Sequence, residues 1–177
     1  MMQSLNKNNF MKSDVALYGM FISVALVLSY IESIIPIPVP VPGIKLGLAN
    51  VVILWILYSM GVKPAAFISI IRVIIANFLF GNLYGMIFSG VGAVLSLIVM
   101  YLLKKTGKFS IIGVSIAGGA AHNIGQVIVA VIVLQNIRMG YYLPILLVSG
   151  LVTGIAIGVL GGLLYKKIKI LQTNVHL

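Results

Sequence analysis

The chain has 177 residues, of which 61% are hydrophobic and 8% charged, and its mean hydropathy is +1.19. A soluble domain needs a polar exterior, so this composition excludes that class and predicts an integral membrane protein. The formal net charge is +10, but the basic residues stand at the ends of apolar runs, as topology signals do. A basic stripe interleaved with aromatics is missing, so a nucleic-acid partner is not expected.

Six apolar segments follow a polar start, and a membrane crossing needs roughly 20 apolar residues. The predicted helices cover residues 14–35, 44–61, 65–80, 83–103, 110–134 and 141–165. Alternating prolines at 36–42 fix φ and remove backbone donors, which predicts an extended segment between the first two helices. We therefore predict an all-α bundle at 14–170, with short cytoplasmic tails at 1–13 and 171–177.

The lysines predict the orientation of this bundle. With the N-terminus inside, nine of the twelve basic residues are cytoplasmic, namely Lys7, Lys12, Lys63, Lys104, Lys105, Lys108, Lys166, Lys167 and Lys169. The opposite orientation would place all of them outside, against the positive-inside bias. Because the helix count is even, both ends of the chain are predicted to be cytoplasmic.

Small residues recur at four-residue spacing, which places them on one helix face. The sets are Gly150, Gly154, Gly158 and Gly162 in the sixth helix, Gly113, Ala117, Ala121 and Gly125 in the fifth, and Gly85, Ser89 and Ala93 in the fourth. Such faces let helix backbones approach closely in lipid. Gly19 and Ser23 offer the same pattern on the first helix. Internal packing and docking of a partner protein both remain open for each set.

Polar side chains within membrane spans are costly and usually face an interior cavity. Eight such residues form the predicted substrate-binding set: Glu32, Lys45, Asn50, Arg72, Asn77, His122, Asn123 and Gln126. From the sequence, Glu32 could form an ion pair with either Arg72 or Lys45. The asparagines either form hydrogen bonds between helices or contact the ligand. His122 either carries a proton or forms hydrogen bonds as a neutral imidazole.

The signs of the charges favour an anionic ligand. In the predicted outer half of the bundle, Lys45, Arg72 and Arg138 outnumber the single acid Glu32. A pocket there would be net positive and would attract a carboxylate, a phosphate or another electron-rich group.

The same composition argues against catalysis. The chain has two carboxylates, Asp14 and Glu32, on opposite predicted sides of the membrane, whereas magnesium–diphosphate chemistry needs several clustered acidic oxygens. No GxxxxGK[ST] motif and no nucleophile–base–acid set is present, and cysteine is absent. We therefore predict no catalytic residues, no metal site and no cofactor.

Three segments carry a family resemblance: PIPVPVPGIKLGLAN at 36–50, Arg72 followed by FGN at 80–82, and AHNIGQ at 121–126. Together they resemble the Gx transporter family, a bacterial family also catalogued as heptaprenyl diphosphate synthase component I, and this resemblance implies a bacterial plasma membrane. The six-helix plan is similar to the substrate-binding S components of energy-coupling-factor transporters. That likeness implies that the proline segment covers an outward-facing pocket, and that Gly19 and Ser23 dock a coupling membrane subunit.

The main functional prediction is a membrane substrate-binding transport component for a small molecule, with an anionic one favoured. Its coupling membrane subunit and ATPases would be separate chains. One alternative is a stand-alone secondary transporter in which Glu32 or His122 carries the coupled proton. Another is a non-catalytic membrane subunit that assists a prenyl-lipid or electron-transfer enzyme.

Overall fold

A computed structural model describes the backbone of residues 2–35 and 47–175, and the side chains of residues 15–35 and 47–168. This part of the chain is helical apart from short turns and contains no strand, which confirms the all-α prediction. Its α-helices, in chain order, are α1 (Met2–Ile34), α2 (Leu48–Ser59), α3 (Val62–Phe80), α4 (Leu83–Thr106), α5 (Ile111–Val133) and α6 (Leu143–Val175). A 3₁₀ helix, Ile137–Tyr142, precedes α6.

Five stretches of the described chain are long and apolar enough to cross a membrane. They are Val15–Ile34, Val62–Phe80, Leu83–Thr106, Ile111–Val133 and Ile137–Ile168. Helix α2 has 12 residues, which is about 18 Å at a rise of about 1.5 Å per residue, less than the roughly 30 Å hydrocarbon core. The chain is thus a multi-pass membrane protein with five long spans and one shorter apolar helix.

Several helix boundaries differ from the predictions, among them the end of α4, which lies at Thr106 and not at residue 103. Helix α1 begins at Met2, so the backbone of the predicted N-terminal tail is helical as well. Helix α3 begins at Val62 and holds Pro64 in its first turn, where a missing N–H costs no intrahelical bond. Helix α6 continues to Val175. These predicted helices are too short, because polar residues mark the edge of the apolar region and not the end of helical backbone.

The glycine face of α6 packs against α5. A Cβ built on Gly154 would lie 2.7 Å from the Cα of Ile116, and one built on Gly119 would lie 2.6 Å from the carbonyl oxygen of Gly150. Real side chains do not approach backbone so closely, so these positions need glycine. The Asn123 amide also crosses this interface and donates to the carbonyl oxygen of Leu146. The four-residue stripe of α6 therefore serves internal packing.

Aromatic and basic side chains join the helices at the end of the bundle where α2 and α4 finish. Lys104 of α4 donates to the carbonyl oxygen of Leu57, one of the last carbonyls of α2, and its ammonium lies 5.0 Å from the centre of the Tyr58 ring. Tyr58 in turn meets Tyr165 of α6 edge-on, with ring centres 5.8 Å apart. We call this the lysine end.

The opposite end, which we call the cavity end, is where α1 and α3 finish and α2 and α4 begin. There Tyr30 of α1 packs on Phe80 of α3, with ring centres 5.0 Å apart. Between the two ends lies an apolar core whose fully buried side chains include Leu54, Ile56 and Leu57. Helix α2 supplies all three, so the shortest helix is also the most enclosed.

Candidate functional site

A cavity of about 380 Å³ lies inside the bundle and is lined by residues of all six α-helices. It is displaced towards the cavity end, because its lining includes Ile35 after α1 and Gly81 after α3. Its polar lining residues are Ser29, Glu32, Ser33, Asn50, Arg72, Asn77, Ser89, His122, Asn123 and Thr153. Polar groups from segments distant in sequence thus converge on one space within the apolar bundle.

Most of the predicted site residues lie around this cavity. Six of the eight line it, namely Glu32, Asn50, Arg72, Asn77, His122 and Asn123. Gln126 is buried at 8% exposure but is not in the lining, and its Oε1 has no hydrogen-bond partner among the described residues. Lys45 and the proline segment at 36–42 lie outside the described residues. The assignment of a ligand-binding role to these residues stays a prediction.

Arg72 is placed on the cavity wall by the middle of α3. Its Nη1 donates to Ser29 Oγ over 3.5 Å and its Nη2 to Asn50 Oδ1 over 3.4 Å. The buried Nε has no hydrogen-bond partner among the described residues. A guanidinium has five N–H donors and stays charged in proteins. Arg72 is therefore a cation with long bonds to neutral partners and unused donor capacity.

Glu32 binds the start of α2 and not Arg72. Its carboxylate accepts a hydrogen bond from the backbone N–H of Gly47, the residue before α2. Gly47 has φ 73°, a left-handed backbone conformation that favours glycine, whereas the contact of a built Cβ with Ile157 Cδ1 could be relieved by a shift of that flexible side chain. The carboxylate thus lies at the positive end of the α2 dipole. In the described part of the chain no ion pair joins Glu32 to Arg72.

This arrangement changes the charge argument made from sequence. Arg138 is exposed on the 3₁₀ helix and is not part of the cavity lining. Among the described lining residues, Arg72 is the cation and Glu32 the anion. Arg72 also interacts electrostatically with Glu32, although its hydrogen bonds involve neutral partners. One positive and one negative charge in the described lining sum to zero, so the predicted excess of positive charge is not found there, and Lys45 lies outside the described residues.

The asparagines on the wall make backbone contacts. Asn77 Nδ2 donates to the Val73 carbonyl over 2.8 Å within α3, and Asn123 bridges α5 and α6 as described above. Asn50 differs, because its Oδ1 accepts from Arg72. Of the three, Asn123 thus makes a hydrogen bond between helices, Asn77 bonds within its own helix and Asn50 orients the cation.

His122 reaches the cavity from α5 where α4 comes very close. A Cβ built on Gly92 would lie 2.9 Å from the carbonyl oxygen of His122 and 3.0 Å from its ring. The missing side chain at Gly92 therefore makes room for the imidazole. This contact ties a glycine of α4 to the position of a titratable group in the cavity.

The hydroxyl groups of the cavity lining are not among the residues predicted from the sequence. Ser29 contacts Arg72, and Thr153 lines the cavity from α6 while donating to the carbonyl of Ser149 over 3.0 Å. A serine or threonine that bonds the carbonyl four residues earlier is common in membrane helices. The sequence signal of such a residue is the same whether it faces lipid, a neighbour or a cavity.

The predicted docking pair lies on the outside of the bundle. Gly19 and Ser23 are both exposed on α1, and the Ser23 hydroxyl donates to the Gly19 carbonyl over 2.8 Å. A Cβ built on Gly19 would meet nothing within 4 Å. Glycine at this position is therefore not required by packing within the described chain, unlike the glycines of α6.

Comparison with known proteins gives one match. A family model described as heptaprenyl diphosphate synthase component I matches residues 21–164. The chain belongs to this family. The resemblance found in the sequence is thereby confirmed, and the matched region includes every residue of the cavity lining. No curated protein and no solved structure matches the chain.

Proposed function

We propose that this member of the heptaprenyl diphosphate synthase component I family is the substrate-binding component of a membrane transport system, similar to the S components of energy-coupling-factor transporters. The observation that carries the proposal is the cavity lined by all six helices, with an under-bonded guanidinium on its wall. Its volume of about 380 Å³ falls within the range of small-molecule sites. Charged groups inside a membrane bundle usually mark a substrate path.

The proposed ligand is a small anionic molecule taken up from outside the cell. Arg72 offers donors that the described residues leave unused, while the single acid of the lining is held by the Gly47 N–H. In the low dielectric of the bundle a buried cation without a hydrogen-bonded counter-ion is costly. An anion that enters the cavity would relieve that cost.

The energy source and the coupling subunit would be other chains. This sequence has no ATP-binding motif, so ATPases would act through a membrane partner that contacts α1. The exposed Gly19 and Ser23 face, with open space at Gly19, suits close approach of a partner helix. We propose this face as the docking site.

We further propose six membrane crossings with both termini in the cytoplasm of a bacterial cell. Five exposed lysines cluster near the lysine end, namely Lys63, Lys105, Lys108, Lys166 and Lys167, which favours the cytoplasm there. The chain lacks cysteine, so single cysteines can report sidedness. In intact cells, a membrane-impermeant maleimide should label Leu83→Cys but not Lys105→Cys. Labelling in the reverse pattern would contradict this orientation.

We do not propose catalysis by this chain, despite the synthase in the family description. Its two carboxylates fall short of the clustered acidic oxygens that a magnesium–diphosphate site needs. One of them, Glu32, already accepts a hydrogen bond from Gly47. A non-catalytic role beside a prenyl synthase remains the alternative that the family description favours.

A transport assay separates the candidates. Proteoliposomes that contain only this chain would be incubated with an extract of small molecules, with and without a pH gradient, and their contents analysed by mass spectrometry. We expect binding without accumulation, because the coupling subunits are missing. Gradient-driven accumulation that Glu32→Gln or His122→Gln abolishes would instead establish the proton-coupled transporter. Stable co-purification with a soluble prenyl synthase, with no bound molecule, would support the accessory subunit.

A further inference from the structure

The geometry points to a narrower ligand class: we propose that the cavity binds a monoanion that presents a carboxylate to Arg72, in preference to a phosphate or diphosphate ester. This inference rests on the proposed substrate-binding function and adds which anion the site selects. It follows from the charges of the lining, the shape of the guanidinium and the character of the remaining wall.

The charges of the described lining favour a ligand with a single negative charge. Among the described lining residues one cation, Arg72, can meet an anionic ligand. Glu32 lines the same cavity and accepts a hydrogen bond from the Gly47 N–H at the α2 N-terminus. A ligand with one negative charge would be matched by Arg72. A second negative charge would meet no further cation of the described lining and would be repelled by Glu32.

The geometry of the N–H donors of Arg72 favours a carboxylate. A guanidinium presents paired, coplanar N–H groups that match the two oxygens of a carboxylate. The present bonds of Arg72, over 3.5 Å to Ser29 and 3.4 Å to Asn50, are at the long end for hydrogen bonds. These neutral partners hold the side chain against the wall but compete weakly with a charged acceptor. A carboxylate could therefore replace or share their donors.

The apolar part of the cavity wall favours a ligand with an apolar body. Apolar side chains of Val73, Ala76, Phe80 and Ile157 line it beside the polar groups. Such surface favours a ligand whose uncharged part is apolar, because its burial is favourable. A diphosphate would place several strongly hydrated oxygens against these side chains. A small carboxylate with an apolar body suits both parts of the lining.

Nitrogen-15 labelling of arginine offers a direct test, because Arg72 and Arg138 are the only arginines in the sequence. The labelled full chain, in detergent or nanodiscs, would show one Nε–H signal for each, assigned with Arg138→Lys. The probes are acetate, methyl phosphate and acetamide, added at constant ionic strength. The pH is kept above the second pKa of the phosphate, which is about 6. Exposed Arg138 is the internal control.

We expect the Arg72 signal to shift saturably with acetate, at least several-fold more weakly with methyl phosphate, and not with acetamide. The Arg138 signal should show no saturation. Arg138→Lys should leave the acetate response of Arg72 unchanged, since Arg138 lies outside the cavity lining. Tighter binding of methyl phosphate than of acetate, or no response of Arg72 to acetate, would overturn the inference. Either result would leave the proposed transport function intact if a small molecule still co-purifies with the protein.

Discussion

At the α5–α6 interface a Cβ on Gly119 would lie 2.6 Å from a backbone oxygen of Gly150, whereas across the cavity the bonds of Arg72 measure 3.4 and 3.5 Å. The first wall is closed by backbone against backbone and by the Asn123–Leu146 hydrogen bond. The second wall carries a charge whose donors are only partly used. Both walls face the same cavity.

The difference indicates a division of labour within the bundle. Close backbone packing leaves little freedom, because any displacement loses many dispersion contacts at once. Long hydrogen bonds to a charged group leave room for adjustment. We therefore expect the α5–α6 pair to act as a fixed wall and the Arg72 wall, formed by α1, α2 and α3, to tighten when ligand binds.

Gly154→Ala should have the largest effect on stability. Its Cβ would lie 2.7 Å from Ile116 Cα, so the two helices must separate. We expect a loss of roughly 1–3 kcal/mol in the free energy of unfolding, typical of overpacking. Thermal unfolding of the purified protein in detergent, followed by circular dichroism, measures this loss.

Gly90→Ala is the matched control for that experiment. Gly90 also lies inside a helix, but a Cβ there would meet nothing within 4 Å. Its replacement should be neutral or stabilising by up to about 1 kcal/mol, because alanine has the higher helix propensity. Equal unfolding temperatures for the two variants would contradict the fixed α5–α6 wall.

Lys104→Met should have the next largest effect. The change leaves the Leu57 carbonyl without the ammonium of Lys104 and removes the contact with the Tyr58 ring. We expect a loss of about 1–2 kcal/mol, the usual contribution of a charge-assisted hydrogen bond. Lys105→Met is the control, since Lys105 is exposed one residue further along. A similar loss in both variants would show that charge near the membrane surface, and not this contact, matters.

Asn50→Ala should weaken ligand binding while leaving the fold intact. Asn50 Oδ1 accepts from Arg72 Nη2, so without it the guanidinium is less well oriented. We expect a loss of affinity of about fivefold, equivalent to about 1 kcal/mol, measured by titration of the co-purified ligand. Ser33→Ala also alters the cavity lining, but among the described residues Ser33 bonds only its own helix, at the Tyr30 carbonyl. This control should bind normally, and equal losses would argue against an orienting role for Asn50.

Gly19→Leu should have the smallest effect on the isolated chain. Nothing lies within 4 Å of a Cβ at this position, so we expect unfolding to change by less than about 0.5 kcal/mol, as for other surface changes. If α1 docks a coupling subunit, the same variant should lose transport in cells. Met20→Leu, at an exposed neighbouring position, should retain it. Normal transport by Gly19→Leu would exclude this docking face.

Much of this arrangement could be predicted from the sequence. Hydropathy and spacing identified the all-α membrane bundle and its small-residue faces, because both follow from local patterns. Polar residues in apolar segments identified six members of the cavity lining, since such residues rarely face lipid. Gln126 met the same criterion, yet it is buried away from the cavity.

Other features depend on contacts between distant segments and left no sequence signal. Glu32 accepts a hydrogen bond from the backbone N–H of Gly47, a partner that charge alone does not suggest, while its predicted pairing with Lys45 lies outside the described residues. Ser29 and Thr153 line the cavity, but single hydroxyl residues occur throughout membrane helices. Only the structure separates the internal stripe of α6 from the exposed pair on α1, because the spacing is the same in both.

The most direct test of the central claim is native mass spectrometry of the full chain purified in mild detergent. We predict one small anionic molecule bound per chain of the unmodified protein and of Arg138→Gln, whose side chain lies outside the cavity lining. Arg72→Gln should fold normally but lose the molecule. Equal retention by both variants, or a protein that never carries a small molecule under any growth condition, would contradict a binding cavity centred on Arg72.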